Sequence, residues 1–440
     1  MVLATVPLWL THTHTKSQHG DKSTVGNGKG GNAGGPKKCP IYSVDVHPDC
    51  TRFVTAGGDG KARIWSMNAL SFNVENERNS GTLNNIGYES SASSNSSTSN
   101  VSSNGVISSQ PQLCEQRKPD NETPDNNRLL TTLSSHEGSV LCTRFSHNGK
   151  YLASAGDDAH VCIYEHKPVT EASMYGTNLL NLDSDSDDPE KNNKAVENWQ
   201  RIKILRGHNL DVVGLAFAPT DTFLASCSLD RDTPIIIWNV DATSLANSNS
   251  MVLRPHKVIG KDIHRSAVKG IAWDPVYSYL ASSGDDPAIC IWNTEDWSLI
   301  KKLGVESGIF GAIGTSESEA ENNSGQSFYD LHPELTAQLS LFRRVSFAPD
   351  GSSFCCTNAN MSGKPIAAMI SRNGWRVSGD GAANLVGHKQ AIVASRHCNA
   401  FFTFRNAGSS DNGNNNGKAS NIKYGTLVAC GDKRGFLSVW

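Results

Sequence analysis

The stretch LRGHNLDVVGLAFAPTDTFLASCSLDRDTPIIIW (Leu205–Trp238) decides the fold, because its pattern occurs again on both sides of it. It is preceded by SSHEGSVLCTRFSHNGKYLASAGDDAHVCIY (Ser134–Tyr164) and followed by DIHRSAVKGIAWDPVYSYLASSGDDPAICIW (Asp262–Trp292). In each copy a serine stands 18 positions and an aspartate 22 positions after a histidine, and an aromatic residue ends the copy. Such fixed spacing indicates a repeated structural unit.

The repeats have the periodicity of short β-strands. Apolar residues alternate with small or polar ones in VVGLAFAP (Val212–Pro219) and FLASCS (Phe223–Ser228). Turn residues such as Asn148-Gly149 and Pro275 separate the strand patterns. We therefore predict an all-β fold, a WD-repeat β-propeller, in which each blade consists of strands a, b, c and d.

The recurrent histidine, serine, aspartate and aromatic residue are predicted to form a hydrogen-bonded tetrad, in which the aspartate accepts from the histidine and the serine hydroxyl joins the histidine to the aromatic residue. A catalytic triad uses similar residue types, but an active site occurs once and this set occurs three times. We therefore predict a structural role and no catalytic residue. The tetrads are His136, Ser154, Asp158 and Tyr164; His208, Ser226, Asp230 and Trp238; and His264, Ser282, Asp286 and Trp292.

Three further blades carry weaker repeats. In the first, counting back from Asp59 and Trp65 places Thr55 at the serine position and Lys37 at the histidine position, which predicts an incomplete tetrad. The fifth (Phe342–Ile370) lacks the histidine and the aspartate. The sixth begins at His388, resumes at GTLVACGDKRGFLSVW and supplies Asp432 and Trp440.

Six blades are thus readable, and we expect them to be part of a seven-bladed ring. The segment VPLWLTH (Val6–His12) is a candidate closing strand, because propellers commonly hide the last sheet edge in this way. It either completes a ring whose remaining strands lie beyond Trp440 or caps blade six directly. A single domain over residues 1–440 is compatible with this length, because each blade packs mainly on its neighbours.

Polar insertions interrupt the blades at about 69–127, 167–198, 304–338 and 403–422, and their composition predicts disorder. Three of the four fall in a–b or c–d loops, which emerge on one face. We therefore expect a partner to dock on the opposite face, which carries the d–a and b–c loops. Its charged candidates for partner binding are Lys37, Arg231 and Lys389, each of which can also be ordinary solvated surface.

Composition argues against other classes of function. The net charge is −3, which gives no nucleic-acid or membrane signature, and no segment approaches the roughly 18 apolar residues of a membrane span. The eleven cysteines form no CxxC pair and are interpreted as small buried residues. His12, His14 and His19 are interpreted as part of a polar tail rather than as a metal site. We predict no cofactor and no metal.

Several stretches resemble one propeller family beyond the generic repeat. They are KCPIYSVDVHPDCTRFVTAGGDGKARIWSM, ENWQRIKILRGHNLDVVGLAFAPTDTFLASCSLD, FRRVSFAPDG and GWRVSGDGAANLVGHKQAIV, and together they are similar to the N-terminal propeller of the HIRA/Hir histone-chaperone subunits. The propeller subunit of chromatin assembly factor one shares the ENW, LRGH and FRR-SF-PDG elements. SVDVHPD, SGKPIAAMISRNGW and LVGHKQAI favour the Hir side.

The resemblance implies a nuclear, non-enzymatic subunit that helps to deposit core histones independently of replication and represses transcription. It implies that the propeller binds a ubinuclein-type subunit and meets core histones indirectly. It implies no membrane, no sequence-specific DNA and no small-molecule substrate as partners. In the family, regions after the propeller contact other chaperones, and those regions are absent here. The alternatives are a propeller of chromatin assembly factor one, which acts in replication-coupled assembly, and a generic WD-repeat adaptor.

Overall fold

The computed structural model describes residues 12–14, 37–68, 129–167, 197–246, 250–286, 288–303, 340–361, 364–377, 384–404 and 423–440. Within these ranges nearly all regular structure is β-strand, and the strands form six blades. The prediction of an all-β propeller with six readable blades is confirmed. The expected seventh blade and the closing role of residues 6–11 lie outside the described residues.

Each of the first four blades is an antiparallel sheet of four strands in chain order. Blade one contains β3 (Ile41–Val46), β4 (Arg52–Gly57), β5 (Ala62–Ser66) and β6 (Leu129–Leu133). Blade two contains β7 (Val140–Phe145), β8 (Tyr151–Gly156), β9 (His160–Lys167) and β10 (Asn198–Arg206). Blade three contains β11 (Val212–Phe217), β12 (Phe223–Ser228), β13 (Ile235–Asn239) and β15 (Lys257–Ile259). Blade four contains β16 (Val268–Trp273), β17 (Tyr279–Gly284), β18 (Ile289–Asn293) and β19 (Leu299–Leu303).

The last two blades are less regular. Blade five contains β20 (Ser346–Phe347), β21 (Ser353–Met361), β22 (Lys364–Ser371), β23 (Arg376–Val377) and β24 (Asn384–Val386). Blade six contains β25 (Ile392–His397), β28 (Val428–Asp432) and β29 (Leu437–Val439), with a separate hairpin of β26 (Phe402–Phe404) and β27 (Lys423–Gly425) between its first two strands.

Short elements decorate the blades. At the start of the chain, β1 (His12–His14) pairs with β2 (Lys37–Cys39). The connection between β13 and β15 contains the helix α1 (Ala242–Ala246) and β14 (Val252–Leu253). Because β14 pairs with β10, it adds a fifth strand to the edge of blade two.

The strands that flank the second and fourth predicted insertions extend into them, and the disorder predicted for the four insertions lies outside the described residues. Lys167 ends β9 and Asn198 begins β10, so the second insertion is shorter than predicted at both ends. Trp199 lies within this outer strand and is buried against His166 and Phe145. Thr403 belongs to β26 and not to the fourth insertion. The strands extend further because these residues still find backbone partners in the neighbouring strand.

The hydrophobic core lies between the blades. One cluster joins Val161 and Ile163 of blade two to Leu224 and Trp238 of blade three. All four residues are fully buried. Close approach of the first strands depends on small residues: a Cβ on Gly270 would lie 1.8 Å from the carbonyl oxygen of Arg343 in the next blade. A side chain there would push blades four and five apart.

Nearly every first strand has a β-bulge near its beginning. The register shifts between Ile41 and Ser43 in blade one and between Val140 and Cys142 in blade two, and the same irregularity occurs in blades three, four and six. A bulge bends a strand and increases its local twist. In blades two, three, four and six it lies next to the connection that carries the tetrad histidine. Among the helical residues that the structure describes, none belongs to a helix long and apolar enough to cross a membrane.

Candidate functional site

Blade two contains the tetrad side chains in hydrogen-bonding positions. His136 Nδ1 lies 2.9 Å from Asp158 Oδ2, and His136 Nε2 lies 2.7 Å from Ser154 Oγ. The Ser154 hydroxyl is 3.5 Å from the hydroxyl of Tyr164, a long contact in the place where other blades have an indole N–H. Burial opposes the charged form of His136, but the hydrogen bond to Asp158 outweighs it and raises the pKa of His136 to about 9.

Blade four has the same arrangement with a tryptophan. His264 Nδ1 lies 3.0 Å from Asp286 Oδ1, and His264 Nε2 lies 2.8 Å from Ser282 Oγ. The indole N–H of Trp292 donates to the same hydroxyl at 2.8 Å. All four side chains are buried, so these hydrogen bonds tie the b–c turn to the preceding d–a connection in a site that is largely shielded from solvent.

Blade three departs from the predicted pattern. His208 Nε2 contacts Ser226 Oγ at 2.7 Å, and Trp238 donates to that oxygen at 2.8 Å. However, His208 Nδ1 is paired with the backbone oxygen of Thr233 at 2.7 Å and not with Asp230. The prediction that Asp230 accepts from His208 is therefore wrong.

A longer turn explains the difference. The aromatic residue follows the serine by 12 positions in blade three and by 10 in blades two and four. The two additional residues bring Thr233 next to the imidazole, and Asp230 instead accepts from the Thr233 hydroxyl at 2.7 Å and from Asn209 Nδ2 at 2.8 Å. Burial then favours neutral imidazole and lowers the pKa of His208 to about 4, although the Thr233 carbonyl opposes this shift.

Blade one has a histidine that sequence spacing missed. His12, in β1, places Nε2 at 2.9 Å from Thr55 Oγ1 and Nδ1 at 2.7 Å from Asp59 Oδ1, while Trp65 donates to Thr55 at 2.8 Å. The expectation that Lys37 takes the histidine position is wrong, as is the interpretation of His12 as part of a polar tail. Lys37 lies in β2 opposite His14.

The reason is the segment 15–36, which separates β1 from β2 and therefore breaks the spacing rule. The Gly-rich composition of this segment was the signal that could have identified His12. An insertion there moves the tetrad histidine further from Thr55 and Asp59 along the chain than the spacing rule allows. Arg63 adds a fifth member, because its Nη1 lies 2.5 Å from Asp59 Oδ2. Burial opposes ionisation of Asp59, but hydrogen bonds from His12 and Arg63 lower its pKa to about 2.

Blade six assembles its tetrad from a different strand. His388 Nδ1 lies 3.0 Å from Asp432 Oδ2, as the repeat predicts. The hydroxyl comes from Ser438 in strand c, 2.7 Å from His388 Nε2 and 2.8 Å from Trp440 Nε1. The residue opposite Ser438 in strand b is the buried Cys430. A serine two residues before the tryptophan was not recognised, because in the other tetrads this position holds a residue of a different type.

The three residues predicted to bind a partner stay a prediction, and their positions in the chain are as follows. Arg231 is exposed in the b–c turn of blade three, and Lys389 is exposed in the connection that leads into blade six. Lys37 precedes the first strand of blade one. They lie at three different blades.

The opposite face is held together from blade to blade by its a–b turns. His47 Nε2 lies 3.0 Å from the Gly149 oxygen, and the Asp221 carboxylate accepts from the backbone of His147 at 2.8 Å. The buried Asp274 pairs with Arg372 of the next blade at 2.9 Å. Polar groups on this face are therefore used to join neighbouring blades.

No group of three or more His, Cys, Asp or Glu side chains within the described residues is arranged to hold a metal ion. A histidine bonded to a side-chain hydroxyl recurs in five of the six described blades, which is the pattern of a fold-stabilising motif.

Comparisons with known proteins agree with this architecture. The family model described as the CAF1B/HIR1 beta-propeller domain matches residues 85–434, and the WD domain, G-beta repeat, matches residues 34–66. The chain is 31% identical over 399 residues to Protein HIR1 of Cryptococcus neoformans var. neoformans serotype D, covering 90% of this chain and 32% of that protein. It is 29% identical over 443 residues to Protein HIR1 of Coccidioides immitis, covering 99% of this chain and 31% of that protein. The chain thus spans about a third of the length of these relatives.

Proposed function

Because the chain belongs to the CAF1B/HIR1 β-propeller family, we propose that it is the partner-docking propeller of a histone-chaperone subunit in the nucleus. The family match over residues 85–434 is the observation that carries this proposal. The complex would assemble nucleosomes independently of replication and repress transcription, and this chain would contribute a rigid, non-enzymatic platform. The relatives named HIR1 favour this role over that of a chromatin assembly factor one subunit in replication-coupled assembly.

We propose the face with the d–a and b–c loops as the docking surface for a ubinuclein-type subunit, with core histones reached indirectly. Its tetrads fix the backbone on either side of each loop, so exposed residues between them are presented from a rigid base. On the other face, polar groups of the a–b turns are occupied by contacts between blades. Lys37, Arg231 and Lys389 are the charged positions that we assign to the docking surface.

The experiment is affinity purification of the full-length protein from nuclei, followed by mass spectrometry. The wild type should recover a ubinuclein-type subunit together with core histones. The triple variant Lys37→Glu, Arg231→Glu and Lys389→Glu should recover less of both while melting at nearly the same temperature, because exposed substitutions usually change stability by about 0.5 kcal/mol or less.

A control of equal charge change is available on the outer strands and in the connection that leads into one of them. Arg254, Lys257 and Lys301 are exposed there, and their replacement by Glu should leave recovery of the partner intact. Equal recovery with both triple variants would place the docking surface elsewhere. Recovery of a replication-coupled assembly factor, or of a ubiquitin-ligase or RNA-processing complex without histone chaperones, would instead support one of the alternative functions.

A further inference from the structure

The first strands of the six blades line a central cavity of about 170 Å³. In every blade, the second-to-last residue of the first strand occupies the same place. This residue is Asp45 in β3 and Arg144 in β7. These six residues all line the cavity; they are Asp45, Arg144, Ala216, Ala272, Ser346 and Arg396. Arg344, two positions earlier in blade five, lines it as well.

The cavity has an excess of positive charge. Three of its lining residues are arginines, and Asp45 is its single carboxylate. His397 also lines it, but burial lowers the pKa of His397 to about 4, so this side chain is neutral at pH 7. His147, at the wall, lies 3.2 Å from the carboxylate of Asp221. The arginines therefore carry two positive charges that no lining carboxylate balances.

Asp45 is fully engaged by other groups. One of its oxygens accepts from the backbone of Phe145 at 2.9 Å, and the other is paired with Arg396 at 3.1 Å. Among the described residues, Arg144 and Arg344 have no carboxylate within ion-pair distance. Arg144 donates through Nη1 to the Thr143 oxygen at 2.6 Å and to Ser43 Oγ at 3.2 Å, which leaves several of its five N–H groups for another acceptor.

Arg344 reaches two other blades from within the cavity. Its Nη1 donates to the Tyr42 oxygen at 2.8 Å and its Nη2 to the Leu141 oxygen at 2.9 Å. Its Nε is buried and has no acceptor in the described part of the chain. Burial lowers the pKa of Arg344 to about 10, and repulsion from Arg144 and Arg396 acts in the same direction. Charged donors without acceptors are costly in such a site unless an anion is bound there.

We propose that this cavity is a binding site for a phosphate group, held by Arg144 and Arg396 with Arg344 behind them. Guanidinium groups match the geometry of phosphate oxygens and donate charge-assisted hydrogen bonds to them. A phosphate carries about −1.5 to −2 charges near neutral pH, which balances the excess. The volume is below the roughly 300 Å³ of small-molecule pockets, so a single phosphate group fits better than a nucleotide.

The test is thermal unfolding of the full chain during titration with inorganic phosphate, compared with sodium chloride at matched ionic strength. Phosphate should raise the melting temperature in a saturable way, as for any ligand that binds only the folded state. Arg144→Gln and Arg396→Gln should each require roughly tenfold more phosphate or greater for the same shift, since a hydrogen bond to a charged group is lost. Arg434→Gln, an exposed change in the same blade as Arg396, should respond like the wild type.

A second variant keeps the test decisive if Arg144→Gln does not fold. Ala216→Asp places a carboxylate in the same layer of residues, so it should remove the response to phosphate while the arginines remain. Titration with O-phosphoserine distinguishes the source: a response similar to that of inorganic phosphate indicates a phosphorylated side chain as a possible ligand, and a much weaker one indicates the free ion. Equal responses to phosphate and chloride in the wild type, or equal phosphate responses in wild type, Ala216→Asp and Arg396→Gln, would overturn the proposal.

Discussion

His12 Nε2 lies 2.9 Å from Thr55 Oγ1, although 43 residues separate them in the chain. This contact, together with the contact of His12 with Asp59, completes the tetrad of blade one from a strand that precedes the blade. The imidazole is enclosed, with its side chain 0% exposed. The beginning of the described chain is therefore fixed to the propeller by a buried hydrogen-bonded side chain.

His12→Ala is expected to destabilise the protein by about 1–3 kcal/mol, because it leaves the buried Thr55 hydroxyl and the Asp59 carboxylate with fewer partners. Lys37→Ala is the control, since sequence spacing assigned the tetrad position to Lys37. Chemical denaturation of the two variants measures the difference. A larger loss for Lys37→Ala than for His12→Ala would contradict the assignment of His12.

The Asp230 carboxylate is expected to support the b–c turn of blade three without acting on His208. Asp230→Ala removes the acceptor of the Thr233 hydroxyl and of Asn209 Nδ2, at a cost of about 1–3 kcal/mol. Asp232→Ala, two residues later, removes only a surface pair with Lys261 and should change stability little. If Asp230→Ala melts at the same temperature as the wild type, the hydrogen bonds of Asp230 in this turn make no measurable contribution to the stability of the protein.

The histidines of blades two and three are expected to titrate at opposite ends of the pH range. The pKa of His136 is about 9, because its bond to the Asp158 carboxylate outweighs burial, and that of His208 is about 4, because burial outweighs its bond to the Thr233 carbonyl. Replacing Asp158 by Asn should lower the pKa of His136, whereas Asp230→Asn should leave the pKa of His208 low. Histidine NMR titrations measure both, and the reverse response of the two residues would disprove the proposed pairings.

These pKa shifts predict the sign of two pH effects on stability. The raised pKa of His136 contributes stability that is complete below about 6.5, the unfolded value, and is lost as the pH rises through about 9. The lowered pKa of His208 contributes stability that is present above about 6.5 and is lost as the pH falls through about 4. His136→Gln should therefore flatten the alkaline decline, and His208→Gln should flatten the acidic one. The free energy of unfolding, measured from pH 4 to 9, tests this prediction. The prediction is wrong if His136→Gln leaves the alkaline decline unchanged and His208→Gln leaves the acidic decline unchanged.

Removing Phe72 to Pro124 and joining the ends with a short Gly/Ser linker is expected to leave the propeller folded. The strands on either side of this segment pair directly, with Trp65 opposite Leu129. A shorter loop has a slightly smaller closure entropy, so the deletion should not destabilise blade one. Melting temperature and yield of soluble protein are the measurements. A large loss of either would mean that the segment packs against the blades.

The repeat in the sequence was sufficient for the fold class and for most of blades two and four. His264, Ser282, Asp286 and Trp292 lie as their spacing predicts, because a turn of constant length gives a constant geometry. The alternation of apolar and small residues in VVGLAFAP also predicted the first strand of blade three, which the structure places at Val212–Phe217.

Spacing failed wherever a loop had a different length. Two additional residues in blade three bring Thr233 to His208, and the segment 15–36 separates His12 from the blade that it completes. In blade six, Ser438 replaces a serine that strand b lacks. A buried donor is satisfied by whichever acceptor lies within reach, and reach is a distance in space rather than along the chain.

The sequence by itself determined that this chain is a WD-repeat propeller, because hydrophobic periodicity and turn chemistry are local properties of consecutive residues. Only the tertiary structure decided which side chains complete each tetrad and which charges share the central cavity. Arg144, Arg344 and Arg396 stand in three separate repeats and become neighbours because the first strands of successive blades are arranged around one axis. The interaction between charges depends on their separation and on the dielectric around them, and both are fixed only when the ring has formed.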